Sequence, residues 1–163
     1  MKQKYVKADM VLNEKGILRE FELVIYPVRF VVVIGNLEKE VNDLYAPIDK
    51  GYSIIAKPDA EKYRAVVYNV KNRESDNYCL LLWVPTLEDC KGYVLCHEAG
   101  HAALDIFEYI GAEVDVSNQE PFTYLLGTLY RLANGAFNEY KDYIESKKNK
   151  SKTKKKRNNC VPT

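Results

Sequence analysis

At 163 residues, 47% of them hydrophobic and 29% charged, the chain has the composition of a soluble globular protein and the length for one domain with one core. No apolar run approaches the roughly 18 residues that cross a bilayer. The opening residues Met1-Lys2-Gln3-Lys4-Tyr5 carry no apolar signal region, so the expectation is a cytoplasmic protein with no membrane partner.

In chain order, residues 5–12 read as a first strand, followed by a turn at 13–16. Residues 17–34 are rich in Val, Ile, Phe and Tyr and read as strand, with Pro27 at a break or on an edge because it has no N–H to donate. The run 28–34 is apolar on both faces, predicting a central strand that ends at Gly35. Asn36 should then start a short helix, with Leu37, Val41, Leu44 and Tyr45 on one side and Pro47 as its stop. Residues 61–72 and 77–84 predict a β-hairpin through the turn cluster 73–76. After Pro85, Thr86 is a good N-cap and Asp89 a capping-box partner for a helix running to Gly111, a natural C′ glycine. A second long helix should begin at Glu120 or Pro121. Its apolar stripe is Phe122, Leu125, Leu126, Leu129, Leu132, Ala133, Ala136, Phe137, Tyr140 and Ile144, and Gly127 and Gly135 would let another helix approach closely.

The expected fold class is therefore α+β, a small twisted, mostly antiparallel sheet packed on a helix pair. Residues 1–146 form a single domain. Residues 147–157 hold eight basic residues and no acidic one, while the other sixteen basic residues share the chain with all 23 acidic ones. The body is thus at −7 and the tail at +8, and a like-charge block without apolar content predicts disorder over 147–163. Cys79, Cys90, Cys96 and Cys160 contain no C-x-x-C pair and read as free thiols.

The chemistry concentrates at His97-Glu98-Ala99-Gly100-His101, which holds both histidines of the protein. Imidazoles four apart on a helix sit one turn above each other and can grip one metal ion, and the Glu between them can reach a water on it. At about 100° per residue, Leu95, Ala99, Ala102, Ala103, Ile106 and Ile110 cluster on the other side of this helix, so the histidines face away from its apolar stripe. A zinc site needs a third protein ligand and leaves its fourth position open. Asp105 and Glu108 lie on the same helix with poor geometry; Glu120, at the head of the next helix, is the best candidate, with Asp115 next.

His97-Glu98-x-x-His101 followed by Glu120 on a later helix resembles the zincin metallopeptidases of the gluzincin type, whose third ligand is a Glu on the helix after the motif. The resemblance spans residues 78–140 and is closest to small single-domain zincins such as those of phages and mobile elements. The large N-terminal domain and the fuller Glu-helix signature of the thermolysin-like enzymes are absent. It implies one Zn²⁺ per chain held by His97, His101 and Glu120, with Glu98 as the catalytic base. It also implies a substrate-pairing edge strand above the motif helix, a position that residues 80–84 match if they are not simply a core strand. Tyr124 is a candidate oxyanion donor, and Asp105 or Asp115 could orient a ligand imidazole.

The leading expectation is a zinc-dependent peptidase acting on a peptide or protein substrate. The alternative is a catalytically silent zincin-fold binding or regulatory protein. A third reading, weaker, gives the basic tail a nucleic-acid partner.

Overall fold

The chain builds β1 (Lys7–Asn13), β2 (Gly16–Glu22), β3 (Arg29–Gly35), α1 (Glu38–Leu44), β4 (Tyr45–Pro47), β5 (Val66–Asn72), β6 (Tyr78–Val84), α2 (Gly92–Tyr109) and α3 (Glu120–Asn158). This computed structural model describes residues 7–49 and 51–158; Tyr5 and Cys160 lie outside them. The two strands that the sequence marks as apolar on both faces, β3 and β6, lie side by side and parallel, Phe30 opposite Leu80 and Ile34 opposite Val84. A parallel pair needs a crossover, and residues 36–77 supply it with α1, β4 and β5. The sheet order is β1-β2-β3-β6-β5-β4, with every neighbouring pair except β3–β6 antiparallel. The fold is α+β with a mixed, mostly antiparallel six-stranded sheet.

Alternation along the strands divides the core into two. Phe30, Val32, Ile34, Leu80, Leu82 and Val84 point to the face covered by α2 and α3. Val31, Val33, Leu81 and Trp83 point to the other face, beneath Leu37 and Val41 of the α1 region and Ile55. Two buried polar groups tie these layers down. Arg19 on β2 is 4% exposed and forms a forked pair with Glu139 of α3, at 2.6 and 3.3 Å. On the opposite face the Glu20 carboxylate accepts a 2.6 Å bond from the Tyr45 hydroxyl and pairs with Arg29.

Several local expectations change. The N-cap of α1 is Leu37 rather than Asn36, and Tyr45 leaves the helix to begin β4, because its fully buried ring and its bond to Glu20 anchor it against the sheet. Pro47 ends a short edge strand, where a missing N–H costs little. Thr86 does engage Asp89, accepting from its N–H at 3.2 Å and donating to its carboxylate at 2.6 Å, but this closes a separate turn. The helix starts at Gly92, six residues past Thr86, after Cys90 has turned into the core. Ile110 is 39% exposed at the helix end and drops out of the inward stripe. The α3 stripe packs as expected, whereas Gly127 and Gly135 have nothing within 4 Å of where a Cβ would sit, so neither admits a helix. Cys79 and Cys90 are buried free thiols, each pushed up to about 12 by burial, and Cys96 is free and exposed.

The tail also departs from expectation. α3 continues through Asn158, so the backbone of residues 147–158 is helical rather than disordered. Lys and Arg have good helix propensity, nothing in this stretch breaks a helix, and cations complement its C-terminal end. Residues 159–163 lie outside the described part.

Two glycines predict opposite responses. Gly35 has φ +101, and a Cβ there would run into the Lys15 carbonyl. Gly35→Ala should therefore lower the unfolding free energy by about 2–3 kcal/mol. Gly127→Ala, in open helix, should raise it by about 0.5–1 kcal/mol. Urea denaturation followed by circular dichroism reads both.

Candidate metal centre

α2 is held by its small residues. Leu95, Ala99, Ala102, Ala103 and Ile106 are fully buried, and short side chains let the helix lie close to the sheet and to α3. That one-sided burial turns His97 and His101 outward into solvent, with Glu98 half-buried between them. The two Nε2 atoms converge to 3.0 Å, and the rings meet edge to face at 4.7 Å between centroids. Two imidazoles on a tetrahedral zinc with Zn–N of about 2.0–2.1 Å would have nitrogens about 3.3 Å apart. The observed 3.0 Å is a hydrogen-bond distance between the two rings, a few tenths of an ångström short of that bite.

Glu98 and His97 line a cavity of about 380 Å³ whose other walls include Lys62, Arg64, Ala65 and Tyr93. Arg64 lies over the Tyr93 ring, 5.8 Å from its centroid, and hydrogen-bonds the Tyr93 hydroxyl, placing a cationic wall beside the carboxylate. Burial raises the pKa of Glu98, and the charges of His101 and His97 oppose that rise. The second carboxylate near the histidines is Asp105, one turn beyond His101. Burial and then Glu108 raise its pKa, against the charge of His101 and a hydrogen bond from Asn69 of β5. The Asp105 carboxylate thus takes its hydrogen bond from Asn69, whose side-chain amide oxygen in turn accepts from the Tyr78 hydroxyl.

The expected partners beyond α2 are placed differently from one another. Gly111 closes α2 as C′ with φ +69; its N–H donates to Glu108 at 3.0 Å and that of Ala112 to Phe107 at 2.8 Å, the paired bonds of a Schellman stop. Asp115 is tied up in the following loop, accepting from the N–H of Ser117 at 2.8 Å and from its hydroxyl at 2.7 Å, which lowers its pKa. Both bonds fall on Oδ1 and shape the loop. α3 then folds back along α2. The rings of Phe107 and Phe122 lie 5.7 Å apart, and a Cβ on Gly100 would meet Leu126 at 3.6 Å and one on Gly92 the Tyr130 hydroxyl at 3.5 Å. These contacts make the helices antiparallel. By interpolation His101 faces the level of residues 125–126, and Glu120 stands past Phe107, about 9 Å farther along the axis at 1.5 Å per residue. Glu120 is exposed, as is Tyr124 at 73%, which sits nearer the level of His101. Among the described residues, no three His, Cys, Asp or Glu side chains gather where a metal could sit.

β6 is not an edge strand. It runs between β3 and β5 with both sides paired, so residues 80–84 are core and have no main-chain groups to offer a substrate. The edge near the histidines is instead the outer side of β5. β4 covers only Val70–Asn72, and Ile48 N–H reaches Asn69 O at 3.4 Å. Continuing the alternation, the N–H and C=O of Val67 also point outward, and no described residue pairs with them. Tyr93 could have been found by its position one turn before His97. Arg64 and Asn69 carried no signal, since only the hairpin's path brings them to α2.

No protein-family model, curated protein or solved structure matches this chain.

The raised pKa of Glu98 gives a stability prediction for metal-free protein. Folding makes this carboxyl hold its proton more tightly than its ordinary value of 4.5 allows, so its contribution to stability falls as pH rises above that value. Gln is isosteric with the protonated form. In chelator, Glu98→Gln should melt with wild type near pH 3.5 and higher than wild type at pH 7, at about 2–4 °C per kcal/mol relieved. Equal melting temperatures at both pH values would remove the electrostatic account.

Proposed function

We propose that the protein is a zinc-dependent peptidase that hydrolyses peptide bonds with a metal-activated water. The observation that carries this reading is the convergence of His97 Nε2 and His101 Nε2 to 3.0 Å, with Glu98 set between them on the wall of an open cavity. His97 and His101 would hold the ion, and Glu120, about 9 Å farther along the axis, is the third ligand this reading calls for. A zinc ion there supplies Lewis acidity toward a carbonyl and a water nucleophile at neutral pH.

The residues of the chain supply the rest. Glu98 accepts the proton of the attacking water on a carboxylate oxygen and delivers it to the leaving amine nitrogen. Its half-burial suits both roles, since a raised pKa brings it closer to the working pH. Tyr124 is the candidate donor to the oxyanion. An extended peptide can add to the outer edge of β5 at Val67, which replaces residues 80–84 as the substrate-pairing strand. Lys62 and Arg64 would favour acidic side chains on the portion of substrate entering beside Glu98.

Purified protein should bind about one zinc per chain. His97→Ala and His101→Ala should abolish that binding, and Glu120→Gln should weaken it by about 10-fold or more. Glu98→Gln should keep the zinc and lose peptide-library cleavage by at least about 100-fold. Zinc bound with no cleavage by wild type would replace the peptidase reading with a metal-stabilised binding protein. No zinc at neutral pH would end both.

A further inference from the structure

The last packed residue of α3 in the core is Tyr140, with Tyr143 and Ile144 half-buried after it. From Glu145 to Ser151 every side chain is exposed, while the helix continues to Asn158. The overhang beyond Ile144 is about 21 Å long at 1.5 Å per residue. Between residues 147 and 157 the only residues that are not Lys or Arg are Asn149, Ser151 and Thr153. Like charges recur at the i, i+4 spacing in Lys148 and Lys152, Lys150 and Lys154, and Lys152 and Lys156. Each such pair destabilises an isolated helix by a few tenths of a kcal/mol. Lys147 pairs with Glu14 of the body at 3.9 Å and lies over the Tyr143 ring, 5.4 Å from its centroid.

We propose that this overhang is a nucleic-acid arm, a cationic helix that docks on duplex phosphates and is stabilised by them. Charge density supports the match. Eight cations over about 15 Å of helix is about one per 2 Å, against one phosphate per about 1.7 Å of duplex axis. The body carries −7, so it is repelled by the same polyanion and leaves binding to the arm. A membrane surface fits less well, because an interfacial helix needs an apolar face and no residue between 145 and 158 is apolar or aromatic. The same lack of aromatics removes base stacking, so binding follows phosphate geometry and is indifferent to base sequence.

The test uses the full chain with a mixed-sequence duplex of about 25 base pairs, followed by fluorescence anisotropy. Binding should appear at low salt and weaken with a log–log salt slope of about −5, as for six phosphates engaged. Replacing Lys150, Lys152, Lys154, Lys155 and Lys156 together by Gln should cut the affinity at least about 100-fold and reduce the slope to about −2 or less. The melting temperature of the body should not move. Helical circular dichroism should increase when duplex is added to wild type. Absence of binding at 50 mM salt, an unchanged slope in the five-fold variant, or tighter binding to phosphatidylserine vesicles than to duplex would overturn the proposal. Glu98→Gln should bind duplex as wild type does, which separates this result from the fate of the peptidase reading.

Discussion

The parallel register between β3 and β6 is the constraint on which the rest depends. Two strands pointing the same way cannot be joined by a tight turn, so the chain between them has to leave the sheet and return. That excursion places α1 over one face and adds β4 and β5 as the far edge. It also leaves β6 ending where only the opposite face remains uncovered. α2 must start there, and its apolar stripe must lie down on Leu80, Leu82 and Val84. The orientation of the histidines follows from that docking, since they occupy the side of α2 that the sheet and α3 leave open.

The polar interactions reinforce this arrangement more than they create it. Arg19 and Glu139 join β2 to the middle of α3, and Glu20 ties β2 to Tyr45 at the start of β4. Neither pair is near the histidines. Removing Glu139 would strand the buried Arg19 guanidinium without its carboxylate, at a cost of about 3–5 kcal/mol. The two pairs hold α3 and the edge strand β4 in a fixed relation to β2, while the cavity beside Glu98 is walled by two other parts of the chain, residues 62–65 and 93–98.

What could be read from the sequence is what periodicity and local chemistry control. The α2 stripe except Ile110, the α3 stripe, the turn joining β5 and β6 and the Gly111 stop stand, because each depends on spacing within a few turns or strands, whereas β5 begins at Val66 rather than at residue 61. β4 was illegible because three residues carry no period, and Tyr45 fits a helical stripe as well as a strand until Glu20 is known to face it. The start of α2 was misplaced because Thr86 and Asp89 form a capping box that closes only a turn. At the site, the mutual approach of His97 and His101 is a property of one helix and was legible. The level of Glu120 depends on how the ten residues 110–119 return the chain to α2, and the role of residues 80–84 depends on which strand lies outside them. No local pattern encodes either.

Trp83 gives the two-faced core a practical consequence. It is the single tryptophan of the chain, fully buried, with its indole N–H donating to Gly35 O at 3.0 Å. It belongs to the sheet face turned away from α2, so the thickness of the sheet separates it from the histidines. Its emission should report the integrity of the β3–β6 pairing and stay silent to events at His97, Glu98 and His101. The molecule thus carries an optical probe of its own framework that is insulated from its chemistry.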